Sequence, residues 1–392
     1  TLASALLPPV PLPPVPTSVE PSLPPVPLPP VPPPSLPLAP PVPLVLLLLQ
    51  PLVITIPPPS MTAKIDLSAA SRTDVGHFNG ADDTFRRFDA QGSVPADCSS
   101  CHGGEQGFRF AVQYGVAQVV AEPSNGLECG TCHNTPGTDF KAIAAVPTVT
   151  FPSGITVNGP GTDNLCESCH KGRAAKADVD AAIAVGKPAL QDVHHLPAGA
   201  VKLGADVHVG YEYPGKTYVG ALSHVGGTQC TSCHDPVGSH HTFAVNDAWN
   251  GRCSVCHADA NGNAENIRVI HTLDYDGDGL ATEPLAGEIG GLAAATLAAM
   301  QAAAPAPGLC YAPDVYPSFF VDSDGDRACS AGEAVFANAF KAWTPALSKA
   351  AFNYQLSQND PGSWAHNFDY TAELLYDSTQ DLGGDVSKLK RP

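Results

Sequence analysis

Five times between residues 98 and 257 the chain repeats Cys-x-x-Cys-His: CSSCH at 98, CGTCH at 129, CESCH at 166, CTSCH at 230 and CSVCH at 253. Ten of the twelve cysteines belong to this pattern. The spacing has a chemical reason. Two thiols separated by two residues reach the two vinyl groups of one porphyrin and form thioethers, and the histidine directly after is held under the iron. The pattern therefore assigns Cys98, Cys101, Cys129, Cys132, Cys166, Cys169, Cys230, Cys233, Cys253 and Cys256 to the attachment of five c-type haems. It assigns His102, His133, His170, His234 and His257 to the five irons. Structural zinc also uses Cys-x-x-Cys, but two pairs per site would leave one of five over, and zinc needs no histidine after each second cysteine. A thioredoxin-like dithiol calls for one motif between a strand and a helix, not five in glycine-rich loops.

Nine histidines remain: His77, His194, His195, His208, His224, His240, His241, His271 and His366. That is enough to give each iron a second imidazole. A haem enzyme keeps one position open for substrate, whereas an electron carrier does not. No Cys-x-x-Cys-Lys variant occurs. The expectation is electron conduction and no enzyme activity; the alternative is a haem oxidoreductase of the nitrite- or hydroxylamine-reducing kind. With 38 Asp and Glu against 20 Lys and Arg, no basic stripe is available for phosphates, which excludes a nucleic-acid partner.

Composition divides the chain into three. Residues 1–60 hold 23 of the 41 prolines and repeat LPPVPLPPVP at 7–16 and 23–32. Proline fixes φ and lacks an N–H, so this segment is expected to be extended polyproline II. Its richness in Val and Leu is unusual for a solvated linker and favours packing in a groove of its own body or of a neighbouring copy. LVLLLLQPLVITI (44–56) is too short to span a bilayer and is broken by Pro51, so no transmembrane span is expected. Because it begins at Thr1 rather than Met, the chain reads as a processed form. Residues 61–270 carry the motifs in loops and short helices. Residues 271–392 read as a small helical domain. EIGGLAAATLAAMQAAA (288–304) is helix-prone, Phe336, Phe340 and Trp343 fall on one face of a helix at i, i+4, i+7, and Thr344-Pro345 and Asp360-Pro361 each read as a helix start. The fold class is thus mostly irregular and α. The haems form the core, with an extended proline-rich segment before it and helices after it.

Two acidic stretches in the tail follow the oxygen-ligand pattern of a calcium loop. DYDGDGLATE sets Asp274, Asp276 and Asp278 at positions 1, 3 and 5 with Gly279 at 6, and leaves Glu283 or Glu288 to close it. DSDGDRACSAGE sets Asp322, Asp324, Asp326 and Glu333 at 1, 3, 5 and 12, with Arg327 where glycine is usual. Structural calcium is expected at both. Thioether haem attachment belongs outside the bacterial cytoplasm, where disulfides persist, so Cys310 and Cys329 are expected to be bonded.

Over roughly residues 66–385 the chain resembles the multihaem c-type cytochromes of metal-reducing and related bacteria. The resemblance rests on DVGHFNG, FPSGITV, NLCESCHKGR, DVHHLPAGA, YEYPGKTYVG, DYDGDG and AAFNYQLSQNDPGSWAHNFDYTAELLYDS. The proline-rich leader is not part of that pattern. The resemblance implies that His77, His194, His224, His241 and His366 are the distal ligands, with His194 favoured over His195 and His241 over His240. It also implies electron transfer outside the cytoplasmic membrane, to other redox proteins or extracellular acceptors. The chain would be an extracellular homopolymeric filament or, alternatively, a monomeric periplasmic carrier.

Overall fold

The structure is a computed structural model, and it describes residues 95–102, 129–133, 146–159, 161–268 and 271–392. The proline-rich leader and His77 lie outside the described residues. All described residues belong to one unit, Pro58–Pro392. They are mostly irregular and helical, with two small antiparallel hairpins.

The motif region uses short helices: α1 (Ala96–His102), α2 (Cys129–Cys132), α3 (Gly161–His170), α4 (Lys176–Ala184), α5 (Ala198–Leu203) and α6 (Cys230–Cys233). A hairpin of β1 (Val149–Thr150) and β2 (Thr156–Val157) precedes α3, with Val149 opposite Val157. Buried Asn164 ties the two together by donating Nδ2 to Val146 O at 2.8 Å and Pro147 O at 3.0 Å. Such a bond holds an irregular segment where no ladder can.

The tail supplies the long helices: α7 (Leu285–Ala303), α8 (Pro345–Asn359) and α9 (Ser363–Asp381). The Ala-rich stretch is helical as its composition predicts. Thr344 caps α8, its hydroxyl accepting from Leu347 N at 3.2 Å with Pro345 in the first turn. α8 is buried almost all round and so serves two clusters, as a helix without a polar face must. Leu347, Ala350, Ala351 and Tyr354 join Leu292, Met300 and Leu375. Phe352 and Leu356 join Val193, Val201, Val209 and Tyr211 of the motif region. α9 is divided in the same way, with Tyr370 and Leu374 in the second of these clusters and Phe368 and Ala372 in the first.

Two expectations for the tail are corrected. Phe336, Phe340 and Trp343 do not share a helix. Only Phe336–Asn338 forms a single 3-10 turn, and Phe336 is 70 % exposed. Phe340 is instead drawn to the hairpin of β3 (Leu309–Tyr311) and β4 (Phe319–Val321), donating its N–H to Phe319 O at 3.0 Å. Trp343 then packs edge-on to Phe319 and Phe340. The helix expected to open at Asp360-Pro361 is present but starts later: α9 begins at Ser363 with Gly362 as N-cap, and the buried Asp360 carboxylate accepts from Gly362 N at 3.2 Å. The backbone also leaves helical geometry at Asn367 (φ −170°, ψ 88°), whose Oδ1 accepts from Tyr370 N at 3.2 Å and caps the rest of α9. Ser363 to His366 is therefore a separate turn set on the front of the long helix. The disulfide expected between Cys310 and Cys329 is present, with Cα atoms 5.2 Å apart.

One buried side chain joins tail and motif region. Asn353 is 1 % exposed. Its Oδ1 accepts from Tyr211 N at 2.7 Å, and its Nδ2 donates to Tyr211 O and Ser378 Oγ at 3.0 Å each. Asn353→Leu strands both backbone groups of Tyr211 in an apolar setting. It should lower stability by about 3 kcal/mol, seen as a lower denaturant midpoint at an unchanged slope.

Candidate functional site

The short helices follow from the motif itself. One turn of helix is what places two thiols three residues apart on the same side and leaves the histidine just beyond them. His102 and His170 end α1 and α3, and His133 and His234 directly follow α2 and α6. His257 lies beyond a run of turns. The first, third and fourth motifs are neighbours: α1 packs on α3, and α3 packs on α6. Cys101 Sγ donates to Ser168 O at 3.7 Å, which links the first and third motifs. Cys101, Cys166, Cys169, Cys230, Cys233, Cys253 and Cys256 take part in no disulfide.

Four motif histidines each face a second histidine from another part of the chain. Ring centroids lie 5.9 Å apart for His102 and His194 and 6.2 Å apart for His133 and His241. They are 6.1 Å apart for His234 and His366 and 6.2 Å apart for His257 and His224. Imidazole nitrogens bind first-row metals at about 2.0–2.1 Å, and the ring centre lies about 1.1 Å behind the nitrogen, so trans imidazoles hold centroids about 6.3 Å apart. The four gaps fit one six-coordinate iron each, in a group that takes up the space between the rings. Three of these rings are shifted toward the neutral form, which is the form that binds iron. Burial, and then the nearby His194, push His102 down to about 4. Burial also lowers His234 and, with His133 and His240 beside it, His241. His366 differs: burial opposes its charged form, but the Asp360 carboxylate outweighs that and holds the ring above the usual value.

The rings are fixed through their other nitrogen. His170 Nδ1 lies 2.8 Å from Leu196 O, His234 Nδ1 2.7 Å from Phe243 O, and His366 Nδ1 2.8 Å from Asp360 Oδ2. This leaves Nε2 as the outward ligand atom. Much of the arrangement converges on the corner between α8 and α9. Asn359 Nδ2 donates to His194 O at 3.0 Å, Leu196 N donates to Asn359 O at 2.8 Å, and the next residue, Asp360, holds His366. His194 and His241 both have positive φ, 72° and 65°. Non-glycine residues adopt that geometry where the surroundings demand it, commonly at functional sites.

The family model for a doubled CXXCH motif matches residues 223–262, which include His224 and the motifs at 230 and 253. C-type polyheme cytochrome OmcB of Geobacter sulfurreducens is 28 % identical over 296 residues, and C-type polyheme cytochrome OmcC of the same species is 27 % identical over the same length. The chain is a homologue of polyhaem c-type cytochromes. The aligned part is 64 % of this chain but 37 % of OmcB and 36 % of OmcC, so the chain spans little more than a third of these curated relatives. No solved structure matches. Among the described residues, no helix is long and apolar enough to cross a membrane.

Of the remaining histidines of this cytochrome homologue, His195 and His240 are exposed beside the paired rings. His208 bonds Glu212 at 2.7 Å, and His271 packs on Phe368 with a ring separation of 4.6 Å. The two acidic loops fold alike. The carboxylate at position 1 accepts two backbone N–H groups in each: Gly277 and Gly279 on Asp274, Gly325 and Arg327 on Asp322. Gly279 and Arg327 both have positive φ, 98° and 68°, so arginine takes the turn that glycine takes in the first loop. Ligand oxygens of Asp274, Asp276 and Glu288, of Asp276, Asp278 and Glu283, and of Asp322, Asp324 and Asp326 lie within 4.8 Å of one another in each group. Burial and then the neighbouring carboxylates raise Glu283 to about 6. Asp276 Oδ2 would lie only 1.7 Å from a Cβ at Gly291, so the loop seats on α7 where the helix has no side chain.

Sequence reasoning missed a buried ion cluster between the third and fourth motifs. Lys202 on α5 is 13 % exposed and bonds Asp163 and, at 3.0 Å, Glu167, whose side chains are 5 % and 2 % exposed. Asp163 Oδ1 also accepts from Cys230 N at 3.0 Å, which fixes the start of α6. Burial raises Glu167 above the usual carboxylate range even with Lys202 beside it. Lys202→Met should cost about 3–4 kcal/mol at pH 7 by leaving two buried carboxylates without their cation. A carboxylate raised in the folded state gains stability as pH falls, so the deficit should shrink between pH 7 and 5. Denaturant unfolding of both proteins at the two pH values measures it.

Proposed function

We propose that the chain is a pentahaem c-type cytochrome that transfers electrons through closely packed bis-histidine haems outside the cytoplasmic membrane. The observation that carries this reading is the facing of four motif histidines by four others at 5.9–6.2 Å. In this reading each Cys-x-x-Cys pair holds one haem by thioethers. The axial pairs are His102 with His194, His133 with His241, His234 with His366 and His257 with His224. His170 is left for His77. Bound haem supplies a one-electron couple whose potential two imidazoles keep low.

The protein's part is to hold the rings, exclude exogenous ligands and set the haems close together. Contacts between the helices of different motifs, with Cys101 Sγ on Ser168 O, favour near neighbours. So does the segment 220–268, where Ala248, Trp249 and Ala260 are the buried apolar residues. A stretch that poor in apolar side chains needs another apolar body to fold on, and haem is one. Residues 61–270 would then be the haem-bearing domain and 271–392 its helical support. The disulfide fits an extracytoplasmic site. Assembly into an extracellular filament that delivers electrons to other redox proteins or external acceptors is the finer reading. The apolar proline-rich segment 1–60 supports it as a clasp for a neighbouring copy.

The purified protein should carry five covalent haems per chain by pyridine haemochrome and denaturing mass measurement. The oxidised protein should be wholly low-spin by electron paramagnetic resonance. Fewer haems, or a high-spin fraction that binds added cyanide at once, would favour the oxidoreductase alternative. In the tail, the converging carboxylates of both acidic loops favour bound calcium. Calcium should raise the thermal midpoint and a chelator lower it. The affinity of the first loop should fall as pH drops through about 6, where Glu283 takes up a proton.

A further inference from the structure

We propose that Asp360 is the positioning residue for the histidine facing the fourth motif, and that its carboxylate lowers the reduction potential of that one centre. The inference rests on the haem reading above, with His234 and His366 as the axial pair. Asp360 is 1 % exposed, and its two oxygens lie 2.9 and 2.8 Å from His366 Nδ1. Oδ1 is itself fixed by Gly362 N at 3.2 Å. A carboxylate held so firmly has one function toward the ring. It accepts Nδ1–H, fixes the tautomer that presents Nε2, and increases the electron donation of Nε2. Stronger donation, together with a buried negative charge beside the ring, stabilises ferric over ferrous iron and lowers the potential.

The seat for the ring is built locally. A Cβ at Gly362 would come within 2.6 Å of His366 Cε1, so the ring lies back across the turn where only hydrogen fits. The kink at Asn367 frees the Ser363–His366 turn from the line of α9 and lets it close on Asp360. The opposite ring is held differently: His234 Nδ1 contacts a neutral carbonyl, Phe243 O, at 2.7 Å. His194 does have a carboxylate nearby, but Asp192 Oδ2 is 3.8 Å from its Nδ1 and 47 % exposed. Water screens a charge in that position, whereas Asp360 is shielded from water.

The test is a spectroelectrochemical titration of the full haem-loaded protein, native against Asp360→Asn. The expected result is five low-spin haems in both and an upward shift of one midpoint by about tenfold in its reduction equilibrium, about 59 mV for one electron. Asp360→Glu should restore part of the shift. Five superimposable midpoints would overturn the inference. If Asp360→Asn does not fold, near-infrared magnetic circular dichroism of the native oxidised protein decides. One charge-transfer band at shorter wavelength than the rest supports a carboxylate-bound imidazole, and coincident bands overturn it. His366→Met separates the two levels. If it leaves every haem spectrum unchanged, His366 is not a ligand and the axial assignment falls. If it alters one haem while Asp360→Asn moves no potential, the assignment stands and the role of Asp360 falls.

Discussion

Imidazoles on opposite sides of a shared metal must be about 6 Å apart, a tolerance far finer than loops usually keep. In this chain the loops are pinned by helices that carry almost none of the thiols. The corner between α8 and α9 does most of this: Asn359 holds the His194 loop by both its backbone and its amide, and through Leu196 reaches His170. Asp360 and Gly362 shape the place of His366. The motif supplies attachment, and the tail supplies position.

The tail can do so because its contacts with the motif region are buried and polar as well as apolar. Asn353 reads both backbone groups of Tyr211. Asp377 receives Lys216, Tyr218 and Arg391, and Glu373 accepts from Val219 N. Apolar contact alone tolerates sliding, whereas paired buried polar groups permit one register. These bonds draw largely on the strings YEYPGKTYVG and DYTAELLYDS, which also carry the resemblance to multihaem c-type cytochromes.

The chemistry was more legible than the packing. Cys-x-x-Cys-His is a local pattern, and so are the Thr344-Pro345 helix start, the Ala-rich helix and the repeated acidic turns. Each is decided within a few residues. The pairing of rings is decided by contacts between distant segments, so the sequence could name candidates such as His194 and His241 but not match them to partners. Phe336, Phe340 and Trp343 show how spacing misleads, because Phe340 is bonded to a hairpin edge and lies in no helix. Asp360 misled in the same way. Its position before proline reads as a helix cap, and only the return of a histidine six residues on, across a glycine, signals its other use. Lys202 left no local sign at all, since Asp163 and Glu167 lie far back along the chain.

The position of His366 in the last helix has a consequence for biosynthesis. In a chain made from its N-terminus, each thiol pair precedes the corner between α8 and α9. In the proposed pairing that corner both places His366 opposite His234 and holds the loop of His194. A chain stopped before α8 would therefore leave two ring pairs open together, those of the first and fourth motifs.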